Sequence, residues 1–180
     1  QVRVLNRWPE IWSDLEKMAR AIYAASLVDL VLRPGTKERT VFELLSKTFA
    51  DVRDSGTMIV FSLKLLHETG FSPELHNCVV CKKQVEGLAR GFDAIRGGVV
   101  CAACGMGAGG DAFHVSTLTL ETLETILTSP FAYLEMPDAI SRELAQIANA
   151  MMAAHFGEPP RSRMFIEALY KESLYAEVIA

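Results

Sequence analysis

"HNCVVCKKQVEGLARGFDAIRGGVVCAACG", residues 76–105, holds all four cysteines of a 180-residue chain. They form two Cys-x-x-Cys pairs, Cys78 with Cys81 and Cys101 with Cys104, nineteen residues apart. That interval lies within the range of four-cysteine zinc sites. Each short turn brings two thiolates close enough to share one ion, and two such turns complete a tetrahedron. The residues between them fit a hairpin, with "GLARGFDA" running out, "IRGG" turning and "VVC" running back. Four sulfurs leave no open coordination position, so the expected cofactor is one structural Zn2+. Two disulfides would require an oxidising compartment, and a redox Cys-x-x-Cys pair opens a helix in a β-α-β setting that is absent here. Iron–sulfur clusters use the same four thiolates, so the donor set fits both groups and the spacing favours zinc. His76 stands two residues before Cys78 and reads as a surface neighbour of a complete cysteine set.

Helical spacing governs the sequence on both sides. "PEIWSDLEKMARAIYAASLVDLVL", from residue 9, places apolar residues on one broad face and is predicted to form a single helix ended by Pro34-Gly35. "TVFELLSKTFADVR" repeats the pattern with Phe42, Leu45, Phe49 and Val52 as its apolar face, up to Gly56. "TMIVFSLKLLHETG" is apolar nearly all round, the mark of a central buried helix, with Gly70 as its cap. Beyond the cysteines, the glycine-rich 105–113 reads as a return linker, and Ser116 as the N-cap of a helix over "STLTLETLETIL". "PDAISRELAQIANAMMAAHFG" is the most amphipathic segment, its methionines assigned to core packing and His155 to the C-terminal dipole. A short last helix is expected in "RSRMFIEALYKESL". The expected fold is mainly α, a helical bundle with an inserted four-cysteine zinc-ribbon-like hairpin. The bundle occupies residues 1–75 and 106–180, and the insertion 76–105.

Half of the residues are hydrophobic, enough for a core without disulfide staples. No apolar run reaches membrane-spanning length, and "QVRVLNRWPE" lacks the layout of a signal peptide, so a cytoplasmic protein is expected. The sequence starts without methionine, the expectation being a piece of a longer protein. Net charge is −4 and unevenly spread: residues 1–77 balance ten bases with ten acids, 78–104 carry +2, and 105–180 carry −6. Such a chain repels nucleic acid as a whole, so contact with it would need a local patch.

Three basic groups are candidates. Lys82 and Lys83 follow the first cysteine pair; they read first as offsetting the −2 charge of a four-thiolate zinc, and second as phosphate contacts. Arg33, Lys37 and Arg39 cluster in "RPGTKER", a loop in which they are either solvated or phosphate-binding. Arg161 and Arg163 flank Ser162 where the last helix is expected to start, an unfavourable place for cations. An anion held by the free N–H groups and two guanidiniums would offset that cost; surface pairing with Glu158 and Glu167 is the alternative. No catalytic motif is present: there is no Gly-x-Ser-x-Gly, no His-Glu-x-x-His and no phosphate loop, and the four histidines are scattered. Neither an enzyme nor a small-molecule substrate is expected.

The order of segments resembles the C-terminal part of the RecO recombination mediators. The resemblance rests on "LKLLHETGFSPELHNCVVC", the hairpin ending "GGVVCAAC", and "MMAAHFGEPPRSRMFIEAL". It covers nearly the whole chain. The family begins with an OB-fold, and nothing here alternates like its strands, so the chain corresponds to the helical and zinc-binding region. The resemblance implies a non-catalytic role in bacterial DNA repair and homologous recombination, through single-stranded DNA, the acidic tail of the single-strand-binding protein, and RecR. It also implies recombinase loading, strand annealing and a place at the nucleoid. The tail would be the anion for Arg161, Ser162 and Arg163. The alternative is a zinc-braced helical protein-interaction domain without DNA binding of its own.

Overall fold

The computed structural model describes residues 4, 6–85, 90–105, 112–131, 134–166 and 168. Helix α4, Ser55–Glu68, forms the centre of the bundle. Its N-cap is Asp54, whose carboxylate accepts the Thr57 N–H at 3.0 Å. Val60 to Leu66 are all buried, including Phe61 and Leu65 at 0% exposure. Helix α2 (Leu15–Val31), α3 (Arg39–Ala50), α6 (Thr117–Thr128) and α7 (Asp138–Phe156) pack around it. A helix covered on all sides needs apolar residues on all sides, which is why its sequence lacks an amphipathic stripe. Gly70 follows its C-cap at φ +89°, a backbone conformation that glycine adopts at little cost.

Two sequence expectations are corrected here. The helix expected to run unbroken from residue 9 is two: α1 spans Pro9–Trp12, and α2 begins after Asp14. The Asp14 carboxylate accepts the N–H groups of Glu16 and Lys17, and this cap restarts the helix although the apolar period continues across the break. In α3 the buried face is Val41, Leu44 and Thr48, while Phe42 is 60% exposed and Leu45 and Phe49 are half-buried. The apolar face is therefore rotated from the expected one, and the helix ends at Ala50, with Gly56 inside the first turn of α4.

The second half of the bundle follows the sequence closely. The Ser116 hydroxyl accepts the Thr119 N–H at 3.2 Å, capping α6 as expected. The Ser116 N–H and hydroxyl in turn donate to Glu143 of α7, at 2.8 and 2.9 Å, which locks the two helices together. Helix α7 turns Ile140, Leu144, Ile147, Ala148, Met151 and Met152 inward and ends at Gly157, with φ +83°. Its methionines are core, as their spacing indicated. His155 lies in its last turn, with its ring 4.8 Å from that of Phe71. Residues 162–166 are helical; half of the expected last helix lies outside the described residues.

Between α4 and α6 the chain forms a small antiparallel sheet of order β2-β1-β3: β1 is Arg90–Asp93, β2 Gly98–Cys101 and β3 Phe113–Val115. A single helical turn, α5 (Ala102–Gly105), follows β2. The hairpin β1–β2 lies where one was expected, with its turn at residues 94–97 rather than 95–98; residues 87–89 of the expected outgoing strand lie outside the described residues. Strand β3 was not expected: the segment read as linker ends in it, Phe113 facing Phe92 across the pair. Residues 106–111 of that linker lie outside the described residues.

Candidate metal centre

The four sulfurs are gathered by two backbone devices. At the first pair the chain folds into a tight knuckle, in which the Lys82 N–H donates to the Cys78 carbonyl at 2.8 Å and the Cys78 N–H to that of Lys83 at 2.8 Å. Closing this turn puts Lys82 at φ +62°, outside the usual range for a lysine. The second pair is set by the strand: Cys101 is the last residue of β2, and Cys104 lies one helical turn on, in α5.

Backbone pairing brings the two halves together. The Glu74 N–H donates to Gly97, Val99 to Glu74 and Val79 to Val99, each at 2.9 Å, so the segment leading into the first knuckle runs along β2. This approach requires glycine at 98, because a Cβ there would lie 2.5 Å from the Glu74 carbonyl oxygen and 2.7 Å from a Val79 methyl. The hairpin turn is held by Asp93, 2% exposed, which accepts the Arg96 N–H at 2.9 Å and its guanidinium at 2.5 Å.

All four sulfurs lie within 4.8 Å of one another, and the Cys81 and Cys101 sulfurs are 3.8 Å apart. A tetrahedron with metal–sulfur bonds of about 2.3 Å has edges of about 3.8 Å. The cage thus has the size of one ion; a cluster would place several irons and sulfides between the thiolates. The thiols are free, which removes the disulfide reading. Cys78 is fully buried, and burial pushes its thiol up, but N–H groups of Cys101, Cys81 and Val80 outweigh it and bring it down to about 6. Cys104 is pushed up to about 12 by hydrogen bonds from its thiol to Cys101 and Cys81, and by burial. Four thiolates this close repel one another, so the last proton leaves readily only when a cation replaces it. These four residues can hold a metal ion, and sharing it among all four leaves no coordination position for a substrate.

The other expected site residues are dispersed. Lys82 and Lys83 are exposed beside the first knuckle. His76 stands outside the four-sulfur group: its Nε2 lies 3.4 Å from Glu124 of α6, a contact between the cysteine-bearing module and the bundle. Arg33 and Lys37 are exposed in the α2–α3 loop, whereas Arg39 is the first residue of α3 and pairs with Glu43 at 2.7 Å. Arg161 is exposed, Ser162 opens the 162–166 helix with its Oγ buried and without a partner among the described residues, and the Arg163 guanidinium reaches Asn149 at 3.4 Å. Of the two suggested partners of the arginines, Glu158 is exposed and Glu167 lies outside the described residues.

Two features went unread in the sequence. Trp8, Trp12, Met18 and Ile22 border an apolar groove of about 690 Å³, its signal being the chain's two tryptophans lying within five residues of each other. Lys64, 6% exposed in the otherwise apolar α4, borders a polar pocket of about 350 Å³. A lone lysine inside so apolar a helix was the signal for it.

The family model described as "Recombination protein O C terminal" matches residues 12–164. The chain belongs to the RecO family. Among its relatives is the DNA repair protein RecO of Desulforudis audaxviator, 29% identical over 175 residues that cover 94% of this chain and 70% of the relative. That of Roseiflexus sp. is 26% identical over 172 residues, covering 91% and 60%. That of Symbiobacterium thermophilum is 30% identical over 180 residues, covering 94% and 70%. The chain thus spans 60% to 70% of the length of these RecO proteins. No helix among the described residues is long and apolar enough to cross a membrane.

Proposed function

We propose that this chain serves DNA repair and homologous recombination in the RecO manner, by binding rather than by catalysis. The observation that carries the proposal is the family match over residues 12–164. The four-cysteine cage supports it, since a closed site braces a fold but offers a substrate nothing to bind. The ion is zinc, favoured by cage size and an all-thiolate donor set. The partners are single-stranded DNA, the acidic tail of the single-strand-binding protein, and RecR, met in the bacterial cytoplasm at the nucleoid. Arg33, Lys37, Arg39, Lys82 and Lys83 supply the phosphate contacts, and Arg161, Ser162 and Arg163 the anion contact for the tail. The segments 1–75 and 106–180 act as one bundle that carries the 76–105 module.

A second reading rests on the −6 charge of residues 105–180. In it the chain is a zinc-braced protein-interaction domain, and DNA contact belongs to other parts of RecO-type proteins. Fluorescence anisotropy of a labelled single-stranded oligonucleotide separates the two. The first reading expects binding that weakens steeply from low to moderate salt, as counterion release requires. Absence of binding even at low salt would sink it in favour of the second. Replacing Arg161 and Arg163 together with alanine is expected to weaken capture of an acidic tail peptide with helicity unchanged; unaltered affinity would remove them from the site.

A further inference from the structure

Lys64 is the most deeply buried lysine among the described residues, and the role of the metal centre makes no use of it. Its ammonium donates to the Ser129 carbonyl at 2.5 Å, at the C-cap of α6, where a cation suits the negative end of the helix dipole. An ammonium has three donors, and this is its one hydrogen bond among the described residues. No carboxylate there lies within ion-pair distance of it. Burial depresses its basicity, Glu68 opposes that, and Lys47 adds to it. A buried charge without a close counter-ion is costly unless something else meets it.

Space for that something exists. Lys64 borders a pocket of about 350 Å³ between α3, α4 and the end of α6, within the size range of small-ligand sites. Its charged residues are Lys47, Lys64, Glu43 and Glu68, and Glu43 is already held by Arg39 at 2.7 Å. Arg39 offsets Glu43 from outside the pocket, which leaves Lys47 and Lys64 against Glu68, a surplus of one positive charge. Leu44, Leu127, Pro130 and Phe131 supply an apolar wall.

We infer that this pocket binds a small monocarboxylate with an apolar body, its carboxylate taking the free donors of the Lys64 ammonium and its body lying against Phe131 and Leu127. A single negative charge balances the surplus, whereas a phosphate dianion exceeds it and meets the charge of Glu68. The inference is independent of the DNA-repair reading and of the metal.

Calorimetry and thermal shift on the whole chain, at constant ionic strength, test it with three probes. Phenylacetate is expected to bind saturably, phenylacetamide not at all, and phenyl phosphate at least about ten-fold more weakly than phenylacetate. Lys64→Met, which keeps the side chain's bulk and removes its charge, is expected to abolish phenylacetate binding with the circular dichroism spectrum intact. Should that variant fail to fold, Lys47→Gln is expected to weaken binding several-fold instead. Equal binding of the amide, tighter binding of the phosphate, unchanged affinity in the variant that folds, or no saturable signal with phenylacetate would each overturn the assignment.

Discussion

The bundle and the cysteine module solve the same problem with different means. Around α4 the chain buries Phe61, Leu63, Leu65 and Leu66 against Leu123, Leu144, Ile147 and Met151, and apolar area alone can hold such helices together. The module has the short hairpin β1–β2, completed by β3 from the segment that follows it, and few buried side chains of its own, among them Phe92, Val99 and Val100. Strands this short are marginal in water without further support. A metal in the cage of four sulfurs would supply that support, because an ion bound only by the assembled site stabilises the folded module directly. Cooperativity is therefore expected to end at the module's edge: the bundle stands on packing, and the module would stand on its ion.

The sharpest way to break the comparison is to remove one sulfur. Cys101→Ala is expected to lower metal affinity by orders of magnitude, since structural zinc sites contribute on the order of 10 kcal/mol to folding. Metal content measured alongside hydrogen exchange checks this. Strands β1 and β2 should lose protection while α4 keeps it. A variant that retains both metal and protection would show that the sulfurs are incidental.

A smaller effect probes the backbone that presents the sulfurs. Gly98→Ala places a methyl against the Glu74 carbonyl and the Val79 side chain, and overpacking of this kind costs about 1–3 kcal/mol. The expected outcome is faster metal loss to a chelator, with the bundle's unfolding transition unchanged. An unaltered chelation rate would mean that the approach of 74–79 to β2 is not what positions the cage.

The smallest effect sharpens the comparison by pH. Burial pushes the Asp93 carboxyl up, but the Arg96 N–H and guanidinium and the Ile95 N–H outweigh it and hold it below its ordinary value of 3.8. A depressed carboxyl adds stability above its unfolded pKa, and that stability fades as pH falls through the folded value. Asp93→Asn is therefore expected to cost about 1 kcal/mol at neutral pH and to flatten the acid limb of hairpin stability below pH about 4. Chemical denaturation followed at the hairpin, at pH 7 and pH 3, distinguishes this from a uniform loss at both.

What the sequence revealed follows the same division. The metal cage was legible because thiolate spacing is a local code, and α4 because a helix covered on every side carries no polar stripe. Ser116 and Gly157 were legible as caps for the same local reason. The break at Asp14 was hidden because apolar residues on both sides of it still serve one core, so the period carries across a change of helix. The rotated face of α3 was hidden because Phe42 is as apolar as the residues that are buried; which one turns inward is decided by its neighbours. Strand β3 is three residues long beside a glycine run, too short to show alternation. Arg39 looked like part of a basic loop until the start of α3 paired it with Glu43.

One metal ion is expected to brace the module, while the bundle needs none. Native mass spectrometry for metal stoichiometry, followed by hydrogen exchange before and after chelation, tests this expectation most directly. The expected result is one zinc per chain, and on its removal a loss of protection at residues 74–85 and 90–101 while residues 57–66 stay protected. A chain that carries no metal, or one whose module and bundle lose protection together, would contradict it.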